Sequence, residues 1–348
     1  MIIFIKTDIY FSIEYNRLCA FQQSFKNELI MNKIAVINTT ITEANENQRM
    51  DNFLVTQCKG VPKARIYRAL RKGEVRVNRK RVKPEYRLRC ADVVRIPPLR
   101  MTEKKAPSLP PQRMLQQIES SILQETKQFM VVDKPAGMPV HGGTGIKAGL
   151  IEAIRVLRPQ CKFLELAHRL DRETSGCLLL VKKRSILAQI HECWRAQRVK
   201  KHYVALLQGR WLSGSIRGVR APLRKNHLAN GERIVVVDEE EGRPSETIFR
   251  PLRQFDQAVL VEATIITGRT HQIRVHAAHI GHPLAGDDKY GDREFNHAMK
   301  QKGLKRLFLH ASSIYCPLAD IPEESIGLCV LLPDELQRCL QQLKSKRI

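Results

Sequence analysis

Ala167-His168-Arg169-Leu170-Asp171-Arg172-Glu173-Thr174-Ser175-Gly176 is a dense polar cluster set between apolar segments. Phe163, Leu164 and Leu166 lead into it, and Cys177-Leu178-Leu179-Leu180-Val181 leaves it as a strand-like run. Polar groups this close to a core cost several kcal/mol, roughly, when buried without partners, so they need a reason to be there. Asp171 stands in a cationic setting between Arg169 and Arg172, and Thr174-Ser175-Gly176 is expected to be the turn that holds the cluster. A structural reading competes with a chemical one, because Asp, Thr and Ser cap turns and helices and arginine-rich loops are commonly solvated. The stretch alone does not separate the two.

Working outward, 348 residues allow two or three domains, and 43% hydrophobic residues suffice for a core. No run of about 18 apolar residues is present, so no membrane span is expected. Nine scattered cysteines, with no Cys-x-x-Cys pair, fit reduced thiols in a cytoplasmic protein better than a disulfide frame or zinc site. The formal net charge of +24 favours a polyanionic partner, chiefly nucleic acid, with strong salt dependence. Residues 48–100 hold 16 Lys and Arg against 4 Asp and Glu, half of that excess. Aromatics make up only 6%, which favours phosphate contacts over a pure base-stacking surface.

The first 47 residues read as an extension. Met1-Ile2-Ile3-Phe4-Ile5 is broken by Lys6 and Asp8 and is not a secretory signal, and Met31 is an alternative start. Residues 48–98 read as a small unit. Met50, Phe53 and Leu54 have helical spacing, Pro62 suits the first turn of a helix over 62–72, and Ile66, Ala69 and Leu70 form its inner face. Gly73 ends that helix, Glu74–Asn78 alternates like a strand, and Asn78-Arg79-Lys80-Arg81 makes a basic turn before a last strand through Val93, Val94 and Ile96. Lys63, Arg65, Arg68, Arg71, Lys72, Arg76, Arg79, Lys80 and Arg81 are the candidate RNA-binding residues of this cationic face. The unit resembles the S4 RNA-binding domain, an αL-type fold, through Arg49-Met50-Asp51-Asn52-Phe53-Leu54, Ile66–Gly73, Val75-Arg76-Val77-Asn78 and Asp92-Val93-Val94.

Residues 99–121, with Pro107, Pro110 and Pro111, read as a linker, and 122–348 as the larger domain. Strands are predicted at 177–183, 203–208, 233–238, 246–252 and 258–267, and helices near 148–157, 185–197, 270–281 and 334–345. This is an α+β pattern around a mixed, mainly antiparallel sheet. The glycine-rich Val140-His141-Gly142-Gly143 lacks the spacing and lysine of a phosphate-binding loop. His271, His276, His279 and His282 are near one another in sequence, but no carboxylate or cysteine accompanies them at ligand spacing, so no metal is expected. A Ser175-His168-Asp171 hydrolase is disfavoured because the three lie too close in sequence to converge and no Gly-x-Ser-x-Gly elbow is present. In Gly268-Arg269-Thr270-His271-Gln272-Ile273-Arg274-Val275-His276, Gly268 ends a strand, Thr270 is expected to cap a helix, and His271 and Arg274 share one face.

Taken together, His168-Arg169-Leu170-Asp171 with Thr174-Ser175-Gly176, Asp133-Lys134-Pro135-Ala136-Gly137 with His141-Gly142, and Gly268–His276 resemble the motifs of the RluA-type family of pseudouridine synthases. His282-Pro283-Leu284-Ala285-Gly286-Asp287 with Tyr290-Gly291, and Leu307–Ala311, also fit, and the likeness runs from about residue 40 to the end. Asp133 stands where asparagine is more usual. The resemblance implies isomerisation of uridine to pseudouridine in large-subunit (23S) ribosomal RNA, free or in an assembling particle, without a cofactor; a monomer is the expected state. It implies Asp171 as the catalytic carboxylate, Arg274 as its partner, Tyr203 as the active-site tyrosine and Arg169 as the residue that fills the gap left by an extruded base. Other ribosomal or transfer RNA uridines, or a non-catalytic ribosome-binding role, are the competing readings.

Overall fold

Alternating burial along the strands and one-sided burial on the helices divide the chain into two units, separated between Ala106 and Pro107 in a computed structural model. The model describes residues 36–58, 60–99, 110–142, 148–211, 215–227, 233–317 and 325–346. The start of the chain and Met31 lie outside the described residues.

In the first unit, β1 (Ile37–Thr40) precedes α1 (Met50–Gln57) and α2 (Lys63–Lys72), followed by β2 (Arg76–Val77), β3 (Lys80–Arg81) and β4 (Val93–Ile96). The sheet order is β1-β4-β2-β3. Met50, Phe53 and Leu54 on α1 pack with Ile66, Ala69 and Leu70 on α2 against the sheet. Gly73 closes α2 in the left-handed region, where its amide bonds the carbonyls of Ala69 and Leu70. Asn78 and Arg79 have φ of 47° and 69°, a two-residue hairpin turn, so Lys80 and Arg81 belong to the returning strand rather than the turn. β1 pairs with β4 from Ile37↔Ile96 to Thr40↔Val93, so the S4-like unit starts before residue 48.

The second unit opens with α3 (Gln112–Ser120), inside the stretch read as a linker; its Leu115 and Ile118 are buried. Then come β5 (Ile122–Glu125), β6 (Phe129–Lys134), α4 (Leu150–Leu157), β7 (Glu165–Leu166), β8 (Ser175–Val181), α5 (Arg184–Arg195), β9 (Lys200–Gln208), β10 (Arg217–Arg220), β11 (Leu223–His227) and β12 (Arg233–Val237). The chain continues through β13 (Glu246–Phe255), β14 (Ala258–Ile265), α6 (Gln272–His279), α7 (Arg293–Gln301), β15 (Leu309–Cys316), β16 (Ile326–Cys329), α8 (Asp334–Gln341) and β17 (Ser345–Lys346). The large sheet runs β10-β13-β14-β9-β15-β8-β6-β5, and β15–β8 is the parallel pair among its neighbours. The mixed, mainly antiparallel sheet expected from sequence is present.

Thr174-Ser175-Gly176 is not a turn. Ser175 and Gly176 begin the fully buried β8, and the turn lies upstream, closed by the Thr174 amide on the Asp171 carbonyl at 3.2 Å. The apolar run from Cys177 drives this, because a strand buried on both faces extends as far as its neighbours pair with it. Gly176 has φ of 108°, and a Cβ there would stand 2.3 Å from the Ala311 carbonyl oxygen on β15. Gly137 also has positive φ (77°), but nothing lies within 4 Å of its would-be Cβ. Gly176→Ala is therefore expected to lose roughly 3 kcal/mol of stability in urea unfolding, and Gly137→Ala only about 1 kcal/mol.

Candidate active site

The sheet order brings β8, β15, β9 and β14 side by side, and the ends of β8, β9 and β14 open onto one cleft of about 460 Å³. Asp171 enters from the loop before β8, Tyr203 from β9, and Arg274 from α6, which follows β14. Tyr203 pairs across the sheet with Ala263 on one side and Ala311 on the other. Directly paired residues share a face, so two alanines leave space around the tyrosine ring. Arg169 also lines the cleft and is exposed. The four residues singled out from sequence thus converge on one cavity.

What holds Asp171 in place is Lys134, which sequence reading left without a role. Lys134 ends β6 opposite Gly176, and its side chain is completely buried. Its Nζ donates to the carbonyls of Pro135, Met138 and Arg172 at 2.8, 2.9 and 2.9 Å. Arg172 returns the tie, donating from Nε to the Gly137 carbonyl at 2.9 Å. The Asp133–Gly137 turn and the Asp171 loop are thereby one body. Burial pulls the Lys134 pKa down to about 7, against the charges of Glu173 and Asp171, which favour its ammonium. Three carbonyl acceptors need three N–H donors, and only the ammonium supplies them.

His168 orients the same loop from the other side. Its Nε2 accepts the Leu179 amide at 3.1 Å, and burial, with Lys201 nearby, pushes its pKa down to about 3, so the ring is neutral. Ser175 is turned away from His168. It bonds His310 Nδ1 at 2.9 Å and accepts from Arg306 at 3.0 Å in the buried layer behind the loop, which removes the geometry of a Ser175-His168-Asp171 triad.

Arg274 is the main departure from expectation. Its guanidinium is bidentate to Asp287, at 2.7 and 2.6 Å, and lies 5.0 Å from the Tyr290 ring centroid. Among the described residues the Asp171 carboxylate accepts no hydrogen bond; its charge reaches Arg274 through space and favours the guanidinium. Burial opposes the charge on Asp287, yet Arg274 and the amides of Tyr290 and Lys289 hold its carboxyl below the usual range. Asp287 lies 13 residues from Arg274, so no helical spacing points to it; its place in Gly286-Asp287 beside Tyr290-Gly291 was the available signal.

Thr270 does not cap α6. The residue before the helix, His271, makes no side-chain cap bond either; Gln272 instead ties down the turn that leads into α6, its Oε1 accepting the Arg269 amide at 3.0 Å and the Thr267 hydroxyl at 2.7 Å. His271 precedes the helix with φ of 53°, an unfavourable conformation for a non-glycine residue, and its Nδ1 meets the Tyr290 hydroxyl at 2.8 Å. The clustered histidines do not assemble. His276 is bound to Thr247, Ser245 and the Ala221 carbonyl, and His282 to the Gln208 carbonyl beside Trp211.

On the S4-like unit, Lys63, Arg68, Arg71, Lys72, Arg76, Arg79, Lys80 and Arg81 are exposed. Arg65 is the exception: it is half-buried and paired with Glu74 at 2.9 Å, so its charge is already answered within the fold.

Comparisons with known proteins place both units in known families. Residues 128–279 match the family model described as RNA pseudouridylate synthase, and residues 48–94 match the S4 domain. The protein called ribosomal large subunit pseudouridine synthase C in Pasteurella multocida is 53% identical over 290 residues, covering 83% of this chain and 88% of that protein. The chain belongs to the RNA pseudouridylate synthase family. The protein of the same name in Haemophilus influenzae is 52% identical, over 92% of this chain and 99% of its own length. Among solved structures, human RNA pseudouridylate synthase domain containing 4 superposes with a TM-score of 0.54 at 26% identity, covering 68% of this chain and 97% of that one. The family's enzymatic character is thereby established for this chain.

Lys134→Met should leave the Met138 carbonyl buried without a donor, release those of Pro135 and Arg172, and free the Asp171 loop. The expected result is a stability loss of roughly 3 kcal/mol in urea unfolding. Pseudouridine formation should fall at least tenfold at temperatures where the variant remains folded, roughly the effect of misplacing a reacting group by about 1 Å.

Proposed function

We propose that the chain converts uridines of large-subunit ribosomal RNA to pseudouridine at the cleft between Asp171, Tyr203 and Arg274. The observation that carries this reading is the lone, unbonded Asp171 carboxylate facing a cavity that also holds Tyr203 and a positioned arginine. The substrate assignment draws on the relatives named above, which cover most of this chain at about half identity.

The reaction breaks the N1–C1′ bond, leaves the electron pair on N1, and joins C5 to C1′ after the base turns. C5 loses a proton and N1 gains one, so atoms and charge balance without an oxidant or energy source. Asp171 either attacks C1′ or stabilises its positive charge, as carboxylates do in glycosidases. Arg274, fixed by Asp287, contributes a preorganised positive charge that no longer has to move during the reaction. Burial and the charge of Asp171 push the Tyr203 phenol above its ordinary value, so it enters as a neutral ring that stacks on the base. Loss of the C5 proton is then assigned to water rather than to a phenolate. Reaching Asp171 requires the uridine to leave its stack, at a cost of a few kcal/mol, roughly, and Arg169 is exposed where it can fill the gap.

The S4-like unit supplies affinity through its eight exposed cations, and the cleft chooses the base. The test is tritium release from a large-subunit ribosomal RNA transcript carrying 5-tritiated uridine. Wild-type protein should release tritium, and Asp171→Asn and Asp171→Ala should lower the rate at least a thousandfold with an unchanged unfolding midpoint. Full turnover by Asp171→Ala would refute the assignment.

A further inference from the structure

We propose that Lys201, against the wall made by Trp194 and Gly268, is a binding subsite for a backbone phosphate of the RNA strand next to the extruded uridine. The inference rests on the reading of the cleft given above and adds a second station to it.

Lys201 and Tyr203 lie two residues apart on β9, so they face the same side of the sheet about 7 Å apart along the strand. Both line the cleft. Lys201 is only 8% exposed, yet among the described residues its ammonium meets the Trp194 ring rather than a carboxylate or carbonyl. Most other cations in the cleft are already engaged. Arg274 is held by Asp287, Arg195 by Glu192, and Arg269 by the Pro244 carbonyl. Arg169 is free but exposed, so solvent answers its charge. The Nζ keeps an opening to the cleft, but a partly desolvated ammonium without an anion is unfavourable, and a ligand that brings the anion reduces that penalty.

The surroundings favour an anion rather than a protein counter-ion. Lys201 Nζ stands 5.5 Å from the Trp194 ring centroid, a contact that retains a positive charge but does not neutralise it. Nζ would lie 3.7 Å from a Cβ at Gly268, so the absence of a side chain there leaves the ammonium uncovered. The neighbouring His168 ring is neutral and adds no competing charge. Burial lowers the pKa of Lys201 to about 8, which leaves it mostly charged at neutral pH. The charge of Asp171 is felt by Arg274, His271 and Tyr203 around the cleft. The cleft therefore has two cationic poles with the reacting base between them. One is closed by Asp287, and the other awaits an anion. A lysine serves a phosphate as a compact point charge.

The experiment compares full-length wild-type protein with Lys201→Met, Lys201→Gln and Lys201→Arg in single-turnover tritium release from the ribosomal RNA transcript, at several salt concentrations. Lys201→Met and Lys201→Gln should raise the half-saturating enzyme concentration about tenfold while the limiting rate moves less than about threefold. Each should also reduce the steepness of the log affinity against log salt plot by about 0.7, the loss of one phosphate contact on a single strand. Lys201→Arg should recover most of the affinity and the salt slope. Unchanged affinity and slope in either neutral variant would overturn the subsite. So would a collapse of the limiting rate that Lys201→Arg does not recover, because that marks a proton-transfer role. If the wild-type protein releases no tritium, the reading of the reaction fails; if it does and Lys201→Met matches it, only the subsite fails.

Discussion

A buried ammonium that donates to three main-chain carbonyls is the constraint on which the cleft depends. Among the described residues Lys134 has no counter-ion in contact; its charge is answered by the carbonyls of Pro135, Met138 and Arg172. Those carbonyls belong to two loops separated by more than thirty residues of sequence, and without the lysine the Met138 carbonyl would be a buried acceptor with no donor while the tie between the loops would be lost. The fold therefore accepts the desolvation of one charge in exchange for a rigid floor beneath Asp171. Gly176 completes the arrangement, since only a residue without a Cβ lets β8 approach β15 closely enough to set that floor.

Above the floor the charges are divided by role. Asp171 stays unbonded, so its oxygens are available to a substrate. Arg274 is already satisfied by Asp287 and supplies a fixed field rather than a hand that must reach out. Tyr290 ties this arrangement to its surroundings, since its hydroxyl accepts the Val235 amide of the β11–β12 hairpin and meets His271, while its ring lies beside Arg274. The strain at His271 is held by that contact and by the packing of α6 on β13. A site of this kind is preorganised before RNA arrives, which is where electrostatic catalysis gains most.

Much of this was legible in the sequence because it is carried by local patterns. The apolar run after Gly176 announced β8, the spacing of Ile66, Ala69 and Leu70 announced α2, and the polar clusters around Asp171 and Arg274 stood out, while Tyr203 was singled out only by family resemblance. What was not legible depends on long-range pairing. Nothing local distinguishes Lys134 from a surface lysine, or Lys201 from its neighbour Lys200; strand alternation and the partner strands decide which is buried. Arg274 was taken as the partner of Asp171 by family resemblance, whereas its guanidinium is held in a bidentate pair by Asp287. Thr174-Ser175-Gly176 looked like a turn by composition, and sheet pairing overrode that preference. Arg65 looked like part of the cationic face until Glu74 took it inward.

The central claim is that Asp171, held over Lys134, is the carboxylate that isomerises uridines of the large-subunit ribosomal RNA. The most direct measurement is a pseudouridine map of that RNA from cells whose only copy of this protein is wild type or Asp171→Ala, with protein levels matched. The account predicts that a defined set of pseudouridines is present with the wild-type chain and reverts to uridine with the variant, while other modified positions persist. Identical maps from the two strains would contradict it.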